Sequence, residues 1–172
     1  MAKKRKTIDW ETIEREKPNL RCLHLGHGEK AVTRLLKNLL WVGKLSEAWD
    51  LSNVLWHEFE FPLPRGKADL VLFHADGTIS VVEAKDRLDT RQIVAGIGQL
   101  SMYAVQVGFS RSNTGIRKIL TVPVEGKSDD ALLIDQACRD AGVIFEPLGP
   151  IQEHEDVGID LILSRYPQYE KK

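Results

Sequence analysis

The chain has almost no cysteine. Cys22 and Cys138 are its only two, far apart and with no CxxC pair or neighbouring Cys/His set, which excludes a disulfide scaffold and a structural zinc site. Long apolar runs are also missing. None approaches the ~20 residues needed to cross a bilayer, so no membrane partner is expected. No glycine loop ends in GK[ST], so nothing supports an intrinsic ATPase. The basic tip Met1-Ala-Lys-Lys-Arg-Lys6 leads into Thr7-Ile-Asp-Trp-Glu11 rather than an apolar run ending in small residues, and a cytoplasmic location is expected. Net charge is nearly absent too: 24 Lys and Arg against 25 Asp and Glu give about −1. A strongly basic domain is the usual footprint of nucleic-acid binding, and the total count offers none.

Summing by segment changes that reading. Residues 1–45 hold eleven basic and five acidic side chains, 46–123 eight and nine, 124–172 five and eleven. Neutrality therefore comes from a basic front cancelling an acidic tail, a polarity that can create a local positive surface. With 172 residues, 42% of them apolar, the chain can bury one domain-sized core. The division expected is a basic N-terminal extension with a short helix over 1–27, a core over 28–150 and an acidic segment over 151–172.

Asp9 to Lys17 reads as a short polar helix capped by Thr7 or Asp9. Gly28 to Trp41 places Ala31, Val32, Leu35, Leu36, Leu39 and Leu40 at helical spacing and leaves Lys30, Arg34, Lys37 and Asn38 outside, a helix with a basic outer face. Val54 to Phe61 alternates as a strand before Pro62 and Pro64 interrupt it. Lys67–His74 and Thr78–Lys85 flank Ala75-Asp76-Gly77 and read as an antiparallel hairpin. A long helix follows over Thr90–Val107, with Ile93, Val94, Ile97, Leu100, Ala104 and Val107 inward and Gly108 as its stop. Strand Ile116–Val124, helix Asp129–Ala141 and strand Val143–Glu146 complete an α/β chain with a mixed central sheet, antiparallel in its meander and flanked by helices.

The hairpin carries the chemistry. If Ala75, Asp76 and Gly77 form a three-residue loop, cross-strand partners have numbers summing to 152, so Asp69 faces Glu83 and Lys67 faces Lys85. Lys85 then shares a face with Glu83, two residues away. Two carboxylates and a lysine converge where Val71, Phe73, Ile79 and Val81 make the rest of that face apolar. Opposed carboxylates repel, and a divalent cation bound by both would resolve the repulsion; an all-oxygen site favours magnesium or manganese over zinc. Lys85 could orient or help activate a water aimed at a phosphate. The plain alternative is an ion pair between Lys85 and the carboxylates at a strand end. A two-residue Asp76-Gly77 turn would unpair Asp69 from Glu83 and weaken the metal reading.

These residues lie in the order of a known pattern. Gly66-Lys-Ala-Asp69, Val81-Val-Glu-Ala-Lys85 and Gln99-Leu-Ser-Met-Tyr103 resemble the Asp, E-x-K and QxxxY motifs of the PD-(D/E)xK nuclease superfamily, in its RecB-like branch. Glu29 matches the acidic residue often found on that family's first core helix. The resemblance covers about Glu29 to Val124 and implies a restriction-endonuclease-like core of helix, three-stranded meander, helix and strand. It further implies magnesium, with manganese as a substitute, bound by Asp69, Glu83 and the backbone carbonyl of Ala84, with Glu29 in contact directly or through water. Lys85 would serve the attacking water. Ala68 stands where the family often has proline, a frequent departure that bears little on metal binding, and the cysteines of iron-sulfur members are lacking.

On the long helix, Gln92, Gln99 and Tyr103 share one face with Gly96 between them, opposite much of the apolar stripe. By resemblance, Gln99 and Tyr103 position DNA; Gln92 and Arg91, with Arg87, are further candidates to meet substrate. A tyrosine hydrogen-bonded within the core is the alternative for Tyr103. His24 and His27 precede the first core helix, where some relatives place a metal-binding histidine. His57 and His74 lie on strand edges and His154 in the acidic tail, without partners at a telling spacing. Trp41, Trp49 and Trp56 read as core or interface residues rather than base-stacking ones.

The function expected is magnesium-dependent hydrolysis of DNA phosphodiesters. The chain has little room for a separate specificity domain, so structure- or end-directed cutting, or recruitment by a protein partner, fits better than long sequence readout. A homodimer would let such a small nuclease cut two strands. The rival readings are a catalytically inactive nuclease-fold module for nucleic-acid binding or assembly, and a hydrolase of small phosphate esters. A positive groove beside Asp69 and Glu83 is expected if the acidic tail folds away from the first core helix.

Overall fold

The computed structural model describes residues 6–110 and 115–171. Most of the basic tip, residues 1–5, lies outside them. A five-stranded sheet runs β1 (Val54–Leu63), β2 (Gly66–His74), β3 (Ile79–Ala84), β4 (Ile116–Val122) and β5 (Ile144–Pro147) in sequence order. The first three strands are antiparallel, and β3, β4 and β5 are parallel. Parallel neighbours need a crossover, and helices α3 (Thr90–Ser110) and α4 (Asp129–Asp140) provide the two. Both pack on one face over Val71, Val81, Leu120 and Phe145, with Leu100 of α3 in the shared core. On the other face α2 (Glu29–Val42) lays Ala31, Val32, Leu35 and Leu36 against Leu70, Leu72, Val82 and Ile119. Central β3 is buried along its whole length, which is why it reads as a continuous apolar run. The order α2, β1 to β3, α3, β4 is the helix, meander, helix and strand of the expected restriction-endonuclease-like core.

The hairpin has the three-residue loop. Leu70 pairs with Val82, Val71 with Val81, Leu72 with Ser80 and Phe73 with Ile79. The His74 N–H donates to the Thr78 carbonyl at 2.9 Å, and Gly77 sits at φ +85°, where a Cβ costs roughly 1–2 kcal/mol. Gly77→Ala is therefore expected to lower stability by about 1 kcal/mol, read as a shift in the urea midpoint.

Several expected boundaries move. Strand β1 continues through Pro62 to Leu63, because it is an edge strand and its proline has no second neighbour to donate to. Helix α3 does not stop at Gly108 but reaches Ser110. Val94, expected inward, is 64% exposed, while Tyr103 is 8% exposed and packs in the core. At 100° per residue the buried stripe is Ile93, Gly96, Leu100, Tyr103 and Val107, so Tyr103 lies within it and Gln92 and Gln99 lie along its flank rather than opposite it. Trp49 is core at 1% exposure and Trp56 stacks on Phe73 at 4.8 Å, but Trp41 is 89% exposed and belongs to no core.

The two ends of the chain are joined. Helix α1 (Trp10–Glu16), capped by Asp9, and a C-terminal helix α5 (Ile151–Arg165) share a small core of Ile8, Ile13, Ile162, Leu163 and Tyr169. Most of the acidic segment, Ile151–Arg165, is therefore a packed helix, its apolar stripe disguised in the sequence by Glu153, Glu155, Asp156 and Asp160. Nor does it fold away from the first core helix: Val157 and Leu161 face Leu35, Leu39 and Val42 of α2 across a shared cleft. Among the described residues no helix is long and apolar enough to cross a membrane.

Candidate active site

Strand pairing delivers Asp69 near the start of β2 beside the end of β3. The Ala84 N–H donates to Asp69 Oδ2 at 2.7 Å, which fixes that carboxylate against β3. Glu83 is 4% exposed and Lys85 6%, and Lys85 Nζ donates to Glu83 Oε1 at 2.7 Å. Lys85 is itself held at the sheet, its N–H donating to the Thr121 carbonyl at 2.9 Å. From the first turn of α2, Glu29 reaches in, its Oε1 3.9 Å from Lys85 Nζ with the rest of the side chain largely in solvent. The helix across the sheet edge and the hairpin thus meet at one lysine.

The electrostatics are those of an overcrowded anionic site. Burial, then the neighbouring Asp69 charge, pushes the Glu83 carboxyl up to about 7, against the opposing pull of Lys85. Burial also raises Asp69, although the Ala84 N–H and Lys85 hold it back. Burial alone would depress the Lys85 ammonium, but the Glu83 hydrogen bond and charge, with Glu29 and Asp69 behind them, leave it raised. Lys85 therefore stays protonated at neutral pH: it can donate hydrogen bonds and steady developing negative charge, and it is a poor base. Even with the Lys85 ammonium beside it, the pair of carboxylates resists full ionisation.

Glycine lets α3 come this close. A Cβ at Gly96 would stand 2.8 Å from Leu120 Cδ1 and 3.3 Å from Lys85 Cε. Gly96→Ala is expected to cost about 1–3 kcal/mol and to displace the lysine stem, so thermal melting and any Lys85-dependent activity should fall together. Gln92 and Gln99 lie one turn before and one turn after Gly96 on the same helix, and the Oε1 atoms of both are buried without a hydrogen-bond partner. An unpaired buried amide oxygen is costly, and both oxygens have an acceptor position open. Tyr103 closes the other end: its hydroxyl and ring lie 3.1 Å from where Gly66, at φ +104°, would carry a Cβ.

Some sequence candidates do not join the cluster. Among the described residues no three His, Cys, Asp or Glu side chains form a metal-holding group, so neither His24 nor His27 completes one with Asp69 and Glu83. His24 stacks on Trp10 at 4.6 Å, and His27 is exposed. Arg91 is exposed, with its N–H capped by Asp89 at 2.8 Å, and Arg87 is exposed beside Asp86. Asp86, which the sequence reading passed over, has a buried Oδ1 lacking a hydrogen bond one residue after Lys85; an acid directly following E-x-K was the available signal. Gln106 was also missed: its amide brackets Arg65 through the Arg65 N–H at 2.7 Å and carbonyl at 3.3 Å, tying the β1–β2 turn to α3.

His74 was read as partnerless, and it is not. Its Nε2 lies 2.8 Å from Ser80 Oγ and its Nδ1 3.7 Å from Asp50 Oδ2. The order Ser, His, Asp suggests nucleophilic catalysis. Ser80 is fully buried, however, and no substrate can reach it. Burial also lowers the His74 pKa, which favours the neutral imidazole, and its Nδ1 makes no hydrogen bond, so the three residues form no relay.

No family profile and no curated protein matches the chain in sequence. In three dimensions it is similar to a repair endonuclease from Pyrococcus abyssi, with 21% identity and a TM-score of 0.48 over 67% of this chain and 46% of that one. It is also similar to a chain of an EndoMS complex with double-stranded DNA, with 21% identity and a TM-score of 0.42 over 57% of this chain and 36% of that one. The chain spans less than half the length of either. At such distances neither likeness bears on function.

Proposed function

We propose that the chain is a magnesium-dependent nuclease that hydrolyses DNA phosphodiesters at the Asp69, Glu83 and Lys85 cluster. The observation that carries this reading is a buried carboxylate pair, one member raised to about 7, with an ammonium hydrogen-bonded to it at 2.7 Å. A donor set of two carboxylates, with the Ala84 carbonyl and Glu29 nearby, consists only of oxygen and suits magnesium or manganese. When bound there, the cation supplies neutralisation of the charge that builds on the phosphoryl oxygens and the leaving group. Lys85 donates hydrogen bonds to the attacking water or to a phosphoryl oxygen and holds that water in line. The Ala84 N–H keeps Asp69 turned toward Glu83. Gln92 and Gln99 accept from donors on the substrate, and Tyr103 lines the approach beside Gly66.

Incubation of the pure protein with linear, nicked, single-stranded and branched DNA in magnesium or manganese tests this. Cutting of at least one form that stops on chelation is the expected result. No cutting of any form, together with calorimetry showing no divalent-cation binding and with DNA binding intact, would instead establish the inactive binding module. A protein partner and a homodimer remain part of the proposal only as ways to bring this small site to two strands.

A further inference from the structure

Helix α2 begins beside the cluster, with Glu29 3.9 Å from Lys85, and carries an unusual outward stripe. Lys30, Arg34, Lys37 and Trp41 are spaced four, three and four residues apart, so they form one row ~16 Å long on the side opposite the buried Leu35 and Leu36. All four are exposed. Among the described residues no carboxylate lies within ion-pair distance of Lys30, Arg34 or Lys37, whereas the nearby Glu60 is taken by Lys67 at 2.7 Å and Glu14 by Arg21. Arg34, Lys37 and Trp41 of the row border two hollows that share Lys37 and Asn38 in their linings. One, of about 640 Å³, is lined by Lys37, Asn38, Leu40, Trp41, His57 and Phe59; the other, of about 360 Å³, by Arg21, Arg34, Lys37 and Asn38. Lys37 lies over the Phe59 ring at 5.0 Å, which holds its ammonium between the two.

A solvated helix face explains the cations but not a tryptophan left 89% exposed at the end of their row. Cations that follow a phosphate backbone, with an aromatic plane on which an unpaired base can stack, are the recognition chemistry of single-stranded nucleic acid. A duplex keeps its bases stacked on one another and offers Trp41 no free face. We infer that the Lys30, Arg34, Lys37 and Trp41 row of α2, with His57 of β1, is a track that binds single-stranded DNA and leads it to the carboxylate and lysine cluster. The inference rests on the nuclease reading for the choice of DNA as the polyanion.

Fluorescence anisotropy of a labelled oligo-dT of about 15 nucleotides, measured in EDTA so that no cutting occurs, tests it. The wild type is expected to bind this strand more tightly than a duplex of the same length, with affinity falling as salt rises. Trp41→Ala and, separately, Lys37→Glu should each weaken binding about tenfold or more, and Trp41→Ala should leave binding to a base-free phosphodiester oligomer unchanged. Both side chains are exposed, and circular dichroism melts at the wild-type temperature confirm that the variants are folded. Unchanged oligo-dT affinity in Trp41→Ala overturns the track, as does equal affinity for the duplex or tighter binding to phosphatidylserine vesicles. Magnesium-dependent cutting by a protein whose Trp41→Ala variant binds normally would remove the track and keep the nuclease; strand binding lost in both variants, in a protein that cuts nothing, would keep the track and remove the nuclease.

Discussion

Lys85→Met is expected to reduce DNA cleavage by on the order of 10²–10⁴-fold while leaving the fold intact. Methionine keeps the unbranched stem that packs beside Gly96 and removes the ammonium that donates to Glu83 at 2.7 Å. Two effects then add. The attacking water loses its positive hydrogen-bond donor, and Glu83, stripped of the neighbour that opposes its rise, becomes harder still to ionise. Lys85→Arg is no substitute, because a planar fork cannot follow the lysine stem past Gly96 to the same oxygen. Single-turnover rates on a labelled DNA, with thermal melts run beside them, check this; wild-type rates in Lys85→Met would remove the lysine from the chemistry.

Glu83→Gln should remove most of the protein's stability response to pH and to metal. The folded Glu83 carboxyl is pushed up to about 7 by burial and by Asp69, above its ordinary 4.5. A carboxyl raised on folding favours the protonated form, so its contribution is fully present below about 4.5 and is lost as pH rises to 7. Without divalent cation, ionising it costs on the order of 3 kcal/mol by neutral pH. Asp69, also raised, acts with the same sign. Lys85 is raised as well, but as a base far from titration it contributes throughout this window. The metal-free wild type should therefore melt lower at pH 8 than at pH 5.5, and Glu83→Gln should flatten much of that slope. Magnesium at a hundred times its dissociation constant should restore about 2.7 kcal/mol to the wild type at pH 8, less at pH 5.5, and almost nothing to Glu83→Gln. Differential scanning calorimetry across these conditions decides it: equal magnesium stabilisation of both proteins would place the cation elsewhere.

The hairpin was legible as two apolar runs around a glycine turn, but Gly77 suits a two-residue turn as well as a three-residue loop. The observed pairs, Leu70 with Val82 through Phe73 with Ile79, select the three-residue loop and with it the register that brings Asp69 to the Glu83 region. The α2 stripe was equally plain, since its apolar residues recur at helical spacing with no interruption. The C-terminal helix was not, because its acidic outer face dominates the composition while Ile162 and Leu163 pack with Ile8 and Ile13 about 150 residues earlier in the chain, and no local pattern announces that. Tyr103 shows the limit of periodicity in another way. Its place on the edge of the buried stripe follows from the helix angle, but its closeness to Gly66 follows from the path of the β1–β2 turn, which Gln106 sets from across the sheet. The charge argument also changed in space: the acidic tail packs on α2, yet it covers the side bearing Leu39 and Val42, and the basic row faces elsewhere.

The central claim is that Asp69, Glu83 and Lys85 form a cation-assisted phosphodiesterase. Its most direct test is a gel assay of end-labelled DNA with the purified chain in magnesium, in manganese and in EDTA, with Glu83→Gln alongside. Fragments are expected with either cation, none in EDTA and none from Glu83→Gln. Fragments that persist in EDTA, or that Glu83→Gln produces at the wild-type rate, would contradict it.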